Sequence, residues 1–206
     1  MIFSDSSLYF LSIFGEFSML ENSDLIKSVL LNHGVIAFVT DTVWGIGCLP
    51  ESKIAVEKIY NLKERDKKKP LILMSSEVYN LFPYVQRDIP KDAQKLIKEN
   101  FPGAFTLVLP KSEMTPDFIT SNMSTVGIRV PACPVFAEIC ELLPRKVLAT
   151  TSANLSEQPP ALTYEQAVEF IGDKVDLVVK DYGFQASGKP SSVVGVIEGK
   201  ITVFRK

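Results

Sequence analysis

Short apolar runs alternate with segments of helical periodicity along most of this chain, and that alternation restricts the fold more than any other feature. Residues 35–39 are too few for a helix and are bounded by Gly34 and Thr40, which predicts a buried strand. Residues 71–74, 105–109, 126–130, 147–149, 177–179, 192–197 and 201–204 read the same way. Between them, apolar residues recur at helical spacing. Ser23 caps a first helix carrying Ile26, Val29 and Leu30, with Gly34 as its stop. Ser52 caps a second with Ala55, Ile59 and Leu62, and residues 91–99 form a third. Pro134 occupies the first turn of a helix with Val135, Ile139 and Leu142, and Thr163 with Gln166 forms a capping box for a helix through Ile171. Residues 195–204 turn back through Glu198-Gly199 as a hairpin, so the sheet is expected to be mixed rather than all-parallel. No linker or internal repeat interrupts the pattern, and one α/β domain is the economical reading.

Composition narrows the chemistry. The 206 residues suffice for a full core, and 46% apolar with 22% charged residues and a net charge of −2 describe an ordinary globular chain rather than a generally basic nucleic-acid binder. The three cysteines, Cys48, Cys133 and Cys140, have no CxxC spacing, which points away from a disulfide framework or zinc site and toward a reducing, cytoplasmic setting. His33 is the single histidine, so neither a His-based triad nor a multi-His metal centre is available, and any catalysis must run on Lys, Arg, hydroxyls, amides or carboxylates. Residues 1–20 are apolar but interrupted by Asp5 and Glu16 and lack Lys and Arg. They fit neither a secretory signal nor a membrane span of about 18 or more apolar residues. They are read as an N-terminal extension of unknown role, with the domain over residues 21–206 and no membrane partner.

Four polar features stand out. Lys63-Glu64-Arg65-Asp66-Lys67-Lys68-Lys69 packs five cations and two anions between a helix and a strand. A bare charge run is commonly a solvated connector, but in α/β proteins this is also where ligand contacts lie. Arg65 offers a planar fork for phosphate oxygens, with Lys63 and Lys69 as mobile point charges. Residues 149–156 follow a strand with five hydroxyl or amide side chains, serving either as a turn with helix caps or as an uncharged hydrogen-bonding set. Residues 39–48 place Thr40, Asp41 and Thr42 at a strand end before Gly45 and Gly47, and the plain reading is a bend with Trp44 in the core. Arg129 lies within an apolar strand and must face a carboxylate or a cavity. Neither a GxxxxGK[ST] loop nor a GxGxxG loop is present.

Taken in order, Thr40-Asp41-Thr42-Val43-Trp44-Gly45, Lys63-x-Arg65 with Lys69-Pro70-Leu71, Phe101-Pro102-Gly103-Ala104-Phe105-Thr106-Leu107, Gly127-Ile128-Arg129-Val130-Pro131, Ser152-Ala153-Asn154-Leu155-Ser156 and Pro190-Ser191-Ser192-Val193 resemble the YrdC-like family of threonylcarbamoyl-AMP synthases over nearly all of residues 21–206. The resemblance implies a twisted mixed parallel and antiparallel sheet flanked by helices around a large concave basic cavity. It implies condensation of L-threonine, bicarbonate and ATP to threonylcarbamoyl-AMP with loss of pyrophosphate, with Mg²⁺ held mainly by the triphosphate. A downstream tRNA threonylcarbamoyl transferase complex would use the product for the t6A modification of ANN-decoding tRNAs. By the same comparison Lys63, Arg65, Ser152 and Asn154 match the phosphate-handling catalytic group. Lys69, Thr125, Pro160 and Arg205 fall where ATP is contacted, and Thr42, Arg129, Thr150 and Ser191 where threonine is held.

The residue types agree with those roles. A threonine zwitterion needs a cation for its carboxylate and hydroxyl partners for its polar ends. Attack of an already anionic carbamate on phosphorus calls for positioning and charge neutralisation more than for acid–base groups. The chain departs from the family pattern at Val39, Trp44, Glu157 and Ser192, and ends without the glycine that commonly follows the last arginine. The rival reading is a non-catalytic module of the same fold that binds double-stranded RNA or tRNA. Against it stand the acidic net charge and the lack of aromatic residues interleaved with basic ones.

Overall fold

The computed structural model describes residues 19–64, 68–155, 158–197 and 199–206. Outside them lie most of the N-terminal extension, Arg65, Asp66 and Lys67 of the charge run, Ser156, Glu157 and Glu198. In chain order the elements are α1 (Ser23–Leu31), β1 (Ile36–Phe38), β2 (Gly45–Cys48), α2 (Lys53–Leu62), β3 (Ile72–Ser75), α3 (Lys91–Asn100), β4 (Phe105–Pro110), α4 (Asp117–Thr120), β5 (Thr125–Arg129), α5 (Pro134–Glu141), β6 (Val147–Ser152), α6 (Tyr164–Ile171), β7 (Leu177–Val178), β8 (Ser192–Ile197) and β9 (Lys200–Arg205), with 3₁₀ turns at Val78–Asn80 and Phe82–Tyr84. The strands form one sheet in the order β7-β1-β2-β6-β3-β5-β4-β8-β9. The pairs β1/β7, β3/β5 and β4/β8 are parallel and the rest antiparallel, so the sheet is mixed as expected. No helix among the described residues is long and apolar enough to cross a membrane.

The first helix differs at both ends from its sequence reading. Asn22, not Ser23, holds the N-cap position, and its side chain makes no capping bond. At the other end the left-handed residue is His33, at φ 61°, rather than Gly34. Its N–H bonds Leu30 O at 3.2 Å and that of Gly34 bonds Val29 O at 2.8 Å, the paired bonds of a Schellman stop. Gly34 is needed for close approach instead: a Cβ there would lie 2.5 Å from Val29 Cγ1. The ring of His33 meets Ser52 Oγ at 2.9 Å, and that hydroxyl also accepts the Ala55 N–H at 3.2 Å. The lone histidine therefore braces the cap of α2.

The second difference is β2, which the sequence reading took for a bend. Gly-Ile-Gly is a poor strand former, and packing overrides the propensity. A Cβ at Gly45 or Gly47 would sit 3.1 Å from the ring of Phe38, so the ring itself fills the space side chains would take. Phe38 in turn packs on Phe136 of α5 with ring centroids 5.0 Å apart. Strand β6 extends through Ser152, so the first hydroxyls of that polar segment belong to the sheet. Helix α4 spans only 4 residues, too few to leave a periodic signal. Thr163 caps α6 as expected, but Gln166 Oε1 accepts from Leu162 N–H rather than from Thr163.

Strand alternation then sorts the sheet into two faces. Leu73 pairs with Ile128 and Ala149, and Leu107 with Ile128, giving a cross-strand apolar row that is fully buried. The neighbouring row runs Thr150, Ile72, Gly127, Val108, and next to it Met74 pairs with Arg129. That second row carries the polar residues.

Candidate functional site

The polar row floors a cavity of about 660 Å³. Gly127 keeps the floor low, since a Cβ there would lie 2.8 Å from Ile72 Cγ2. The segment after β1 supplies Thr40 and Thr42, and the turn before β8 supplies Ser191. Eight of the residues singled out in the sequence meet here: Thr42, Thr125, Arg129, Thr150, Ser152, Pro160, Ser191 and Arg205 all line this one cavity. They come from three strands and three connecting segments, which is why no short motif contains the site.

Arg129 is buried on the cavity floor, and its guanidinium is held from three sides. Nη2 donates to Asp41 Oδ1 at 2.5 Å, Nη1 to Thr42 Oγ1 at 3.0 Å and Nε to Gly103 O at 3.1 Å. Thr40 Oγ1 lies 3.0 Å from Thr42 Oγ1 and donates to Val43 O at 2.6 Å, which fixes the threonine pair. Burial pushes the Arg129 pKa below its ordinary value, and the carboxylate of Asp41 opposes that by attraction and hydrogen bonding. Arg129 thus faces both a carboxylate and a cavity, and two N–H donors remain beyond these three bonds.

Arg205 approaches from β9. Its Nε donates to Ser191 O at 2.8 Å and Nη2 to Ser191 Oγ at 3.3 Å, while Ser191 Oγ lies 2.9 Å from Thr106 Oγ1. Thr106 was not among the sequence candidates. It lines the cavity from β4 and is buried, and its signal was a hydroxyl inside an apolar strand, the same kind of anomaly that exposed Arg129.

Lys63 is not the mobile surface cation its place in the charge run suggested. It caps the C-terminus of α2 and is 1% exposed. Its ammonium donates to Ser152 O at 2.5 Å, Asn154 O at 2.6 Å and Asn154 Oδ1 at 2.9 Å. Ser152 Oγ donates to Asn154 Oδ1 at 2.6 Å, and Asn154 Nδ2 donates to Leu155 O and Gln158 O. Lys63, Ser152 and Asn154 are therefore brought together, with Ser152 lining the cavity and Lys63 and Asn154 behind it. Lys69 is exposed beside the cavity, next to the lining residue Pro70. Arg65 lies outside the described residues.

Trp44 is fully buried and lines the cavity, with its ring 6.0 Å from that of Tyr164. Among the described residues no group of His, Cys, Asp or Glu is arranged to hold a metal ion, and the described lining carries hydroxyls and guanidiniums without carboxylates. Such a set suits an anionic ligand with several hydrogen-bond acceptors.

A mixed sheet flanked by helices, with a hydroxyl-and-arginine cavity on one face, places the chain in the α/β class. The chain belongs to the Sua5/YciO/YrdC family, whose model, described as telomere recombination, matches residues 28–206. It is 36% identical over 174 residues to the threonylcarbamoyl-AMP synthase of Buchnera aphidicola subsp. Acyrthosiphon pisum, covering 84% of this chain and 98% of that one. It is 34% identical over 173 residues to the protein of the same name from Enterobacter sp. strain 638, covering 84% and 90%. Among solved structures, that of P. abyssi Sua5 complexed with L-threonine superposes with a TM-score of 0.82 at 29% identity, covering 89% of this chain and 53% of that one. This chain thus spans about half the length of that Sua5 protein. E. coli YciO superposes with a TM-score of 0.77 at 26% identity, covering 89% of both chains.

Proposed function

We propose that the protein is an L-threonylcarbamoyladenylate synthase, a nucleotidyltransferase that joins L-threonine, bicarbonate and ATP. The observation that carries this reading is the convergence of Arg129, Thr42, Thr150 and Ser191 with Ser152 and Arg205 in one cavity. The names of the relatives at 36% and 34% identity support it. The substrate carboxylate takes the remaining donors of Arg129, and the threonine hydroxyls orient its amine and side chain. The amine and bicarbonate give a carbamate and water. A carbamate oxygen then attacks the α-phosphorus of ATP, the bond to the β-phosphate oxygen breaks, and pyrophosphate leaves.

This step needs the two anions brought into line and their repulsion offset, and no group with a pKa near neutrality. Arg205, Lys69 and Arg65 supply the charge, Thr125 and Pro160 border the nucleotide, and Ser152 and Asn154 form the hydrogen-bonding turn at the phosphates, backed by Lys63. Mg²⁺ travels on the triphosphate; the hydroxyl and guanidinium lining is compatible with an ion held by phosphate oxygens and water. The product is proposed to pass in the cytoplasm to a tRNA threonylcarbamoyl transferase complex for t6A formation. The test is pyrophosphate release with each substrate omitted in turn. Release is expected only with ATP, threonine and bicarbonate together, and equal release without threonine would overturn the proposal in favour of a nucleotide hydrolase.

A further inference from the structure

The last strand carries an irregularity at the cavity mouth. Through most of the β8/β9 hairpin the register is regular, with Gly195 opposite Thr202 and Val194 opposite Val203. It then shifts, so that Val193 faces Arg205 and Phe204 becomes the extra residue of a β-bulge. In a regular strand Phe204 and Arg205 would point to opposite faces of the sheet. Here both line the cavity, together with Val193. A bulge beside a site commonly re-aims a side chain in this way.

The space for the Phe204 ring is made by Gly195. A Cβ at that glycine would lie 2.7 Å from Phe204 Cε2, so the ring lies against bare backbone. Phe204 nevertheless remains 57% exposed. A large aromatic side chain held at a cavity mouth, next to the guanidinium of Arg205, has the layout of a stacking platform beside an anion contact. Arg205 is tied to Ser191 at two points, so its guanidinium keeps a fixed relation to the floor.

We propose that Phe204 is a base-binding residue for the nucleotide, stacking on the purine base of ATP while Arg205 meets its phosphates. The assignment rests on the proposed use of ATP and adds a residue that the sequence motifs did not mark. Stacking recognises a planar ring rather than particular base edges, so adenine and guanine nucleotides gain from Phe204 alike.

The experiment measures ATP, GTP and inorganic tripolyphosphate binding by calorimetry on the full chain, for the wild type and for Phe204→Ala, Phe204→Leu and Phe204→Trp. Melting curves confirm folding, which an exposed side chain makes undemanding. Phe204→Ala is expected to raise the ATP and GTP dissociation constants about tenfold, with tripolyphosphate binding unchanged. Phe204→Trp is expected to keep wild-type affinity, and Phe204→Leu to resemble Ala. Unchanged ATP affinity in Phe204→Ala, full rescue by Leu, or an equal loss for tripolyphosphate would overturn the stacking role while leaving the synthase reading intact. A wild-type protein that binds no ATP at all would overturn both.

Discussion

Replacing Lys63 by Met separates two roles that the charge run conflates. Methionine keeps the length and helix propensity of the side chain but removes the ammonium from Ser152 O, Asn154 O and Asn154 Oδ1, at 2.5, 2.6 and 2.9 Å. Asn154 Oδ1 still accepts from Ser152 Oγ at 2.6 Å and Ser152 O from the Asn154 N–H at 3.1 Å, so the main loss falls on the Asn154 carbonyl. Leaving that carbonyl without the ammonium costs about 1.5 kcal/mol. For a chain of this size 1 kcal/mol moves the melting temperature by about 2–4 °C, so Lys63→Met is expected to melt about 3–6 °C below wild type with no ligand present. The assay is thermal unfolding of the ligand-free protein by circular dichroism, with Lys68→Met, at an exposed position, as the control. A melting temperature within about 2 °C of wild type, accompanied by lost pyrophosphate release, would refute the reasoning. The ammonium would then act on the ligand alone and not as a brace for the Ser152–Asn154 turn.

Further outcomes follow from the same contacts. Arg129→Leu is expected to raise the threonine KM at least about tenfold with little change for ATP, because a charge-assisted contact contributes about 1.5–3 kcal/mol; unchanged threonine binding by calorimetry would make the Asp41 pair purely structural. Arg65→Ala is expected to lower kcat by about 10²–10³ while Lys67→Ala stays near wild type at two ionic strengths, and equal small losses would reduce the run to a general field. Burial pushes the Cys133 thiol up to about 11 and raises those of Cys48 and Cys140 as well, so iodoacetamide at pH 8 is expected to label none of them until the protein is unfolded. The sign for stability follows: Cys133's protonated form is favoured by folding, so its contribution is complete below the unfolded pKa near 9 and is lost as pH rises toward 11, visible as a falling melting temperature. Gly127→Ala is expected to cost about 1–3 kcal/mol through contact with Ile72, with partial recovery in an Ile72→Ala background.

Most elements could be read from the chain because their signals are local. Ser52, Pro134 and Thr163 each start a helix through chemistry contained within one turn, and apolar runs such as 105–109 declare a strand by themselves. The exceptions depend on partners distant in sequence. Gly45–Cys48 becomes an inner strand only because Phe38 from one neighbour and the backbone of β6 from the other close around its glycines. His33 takes the left-handed position usual for glycine, and Gly34 is required by Val29 packing, a distinction invisible without the geometry.

The site divides along the same line. Residue type alone marked Arg129, since a guanidinium in an apolar strand demands a partner, and the partner proved to be Asp41 from a segment 88 residues away. Type alone misjudged Lys63, because a lysine in a run of charges looks solvated whichever way it turns. Its burial comes from the end of α2 aiming at the Ser152–Asn154 turn, 89 and 91 residues further on. Phe204 left no mark at all: in the regular alternation of β9 it belongs on the face opposite Arg205, and only the shift between Val193 and Val194 brings the two together. What the chain conceals is therefore the register. A one-residue slip exchanges the faces of a strand, so the membership of a cavity built on a sheet is decided by pairing that no single segment encodes.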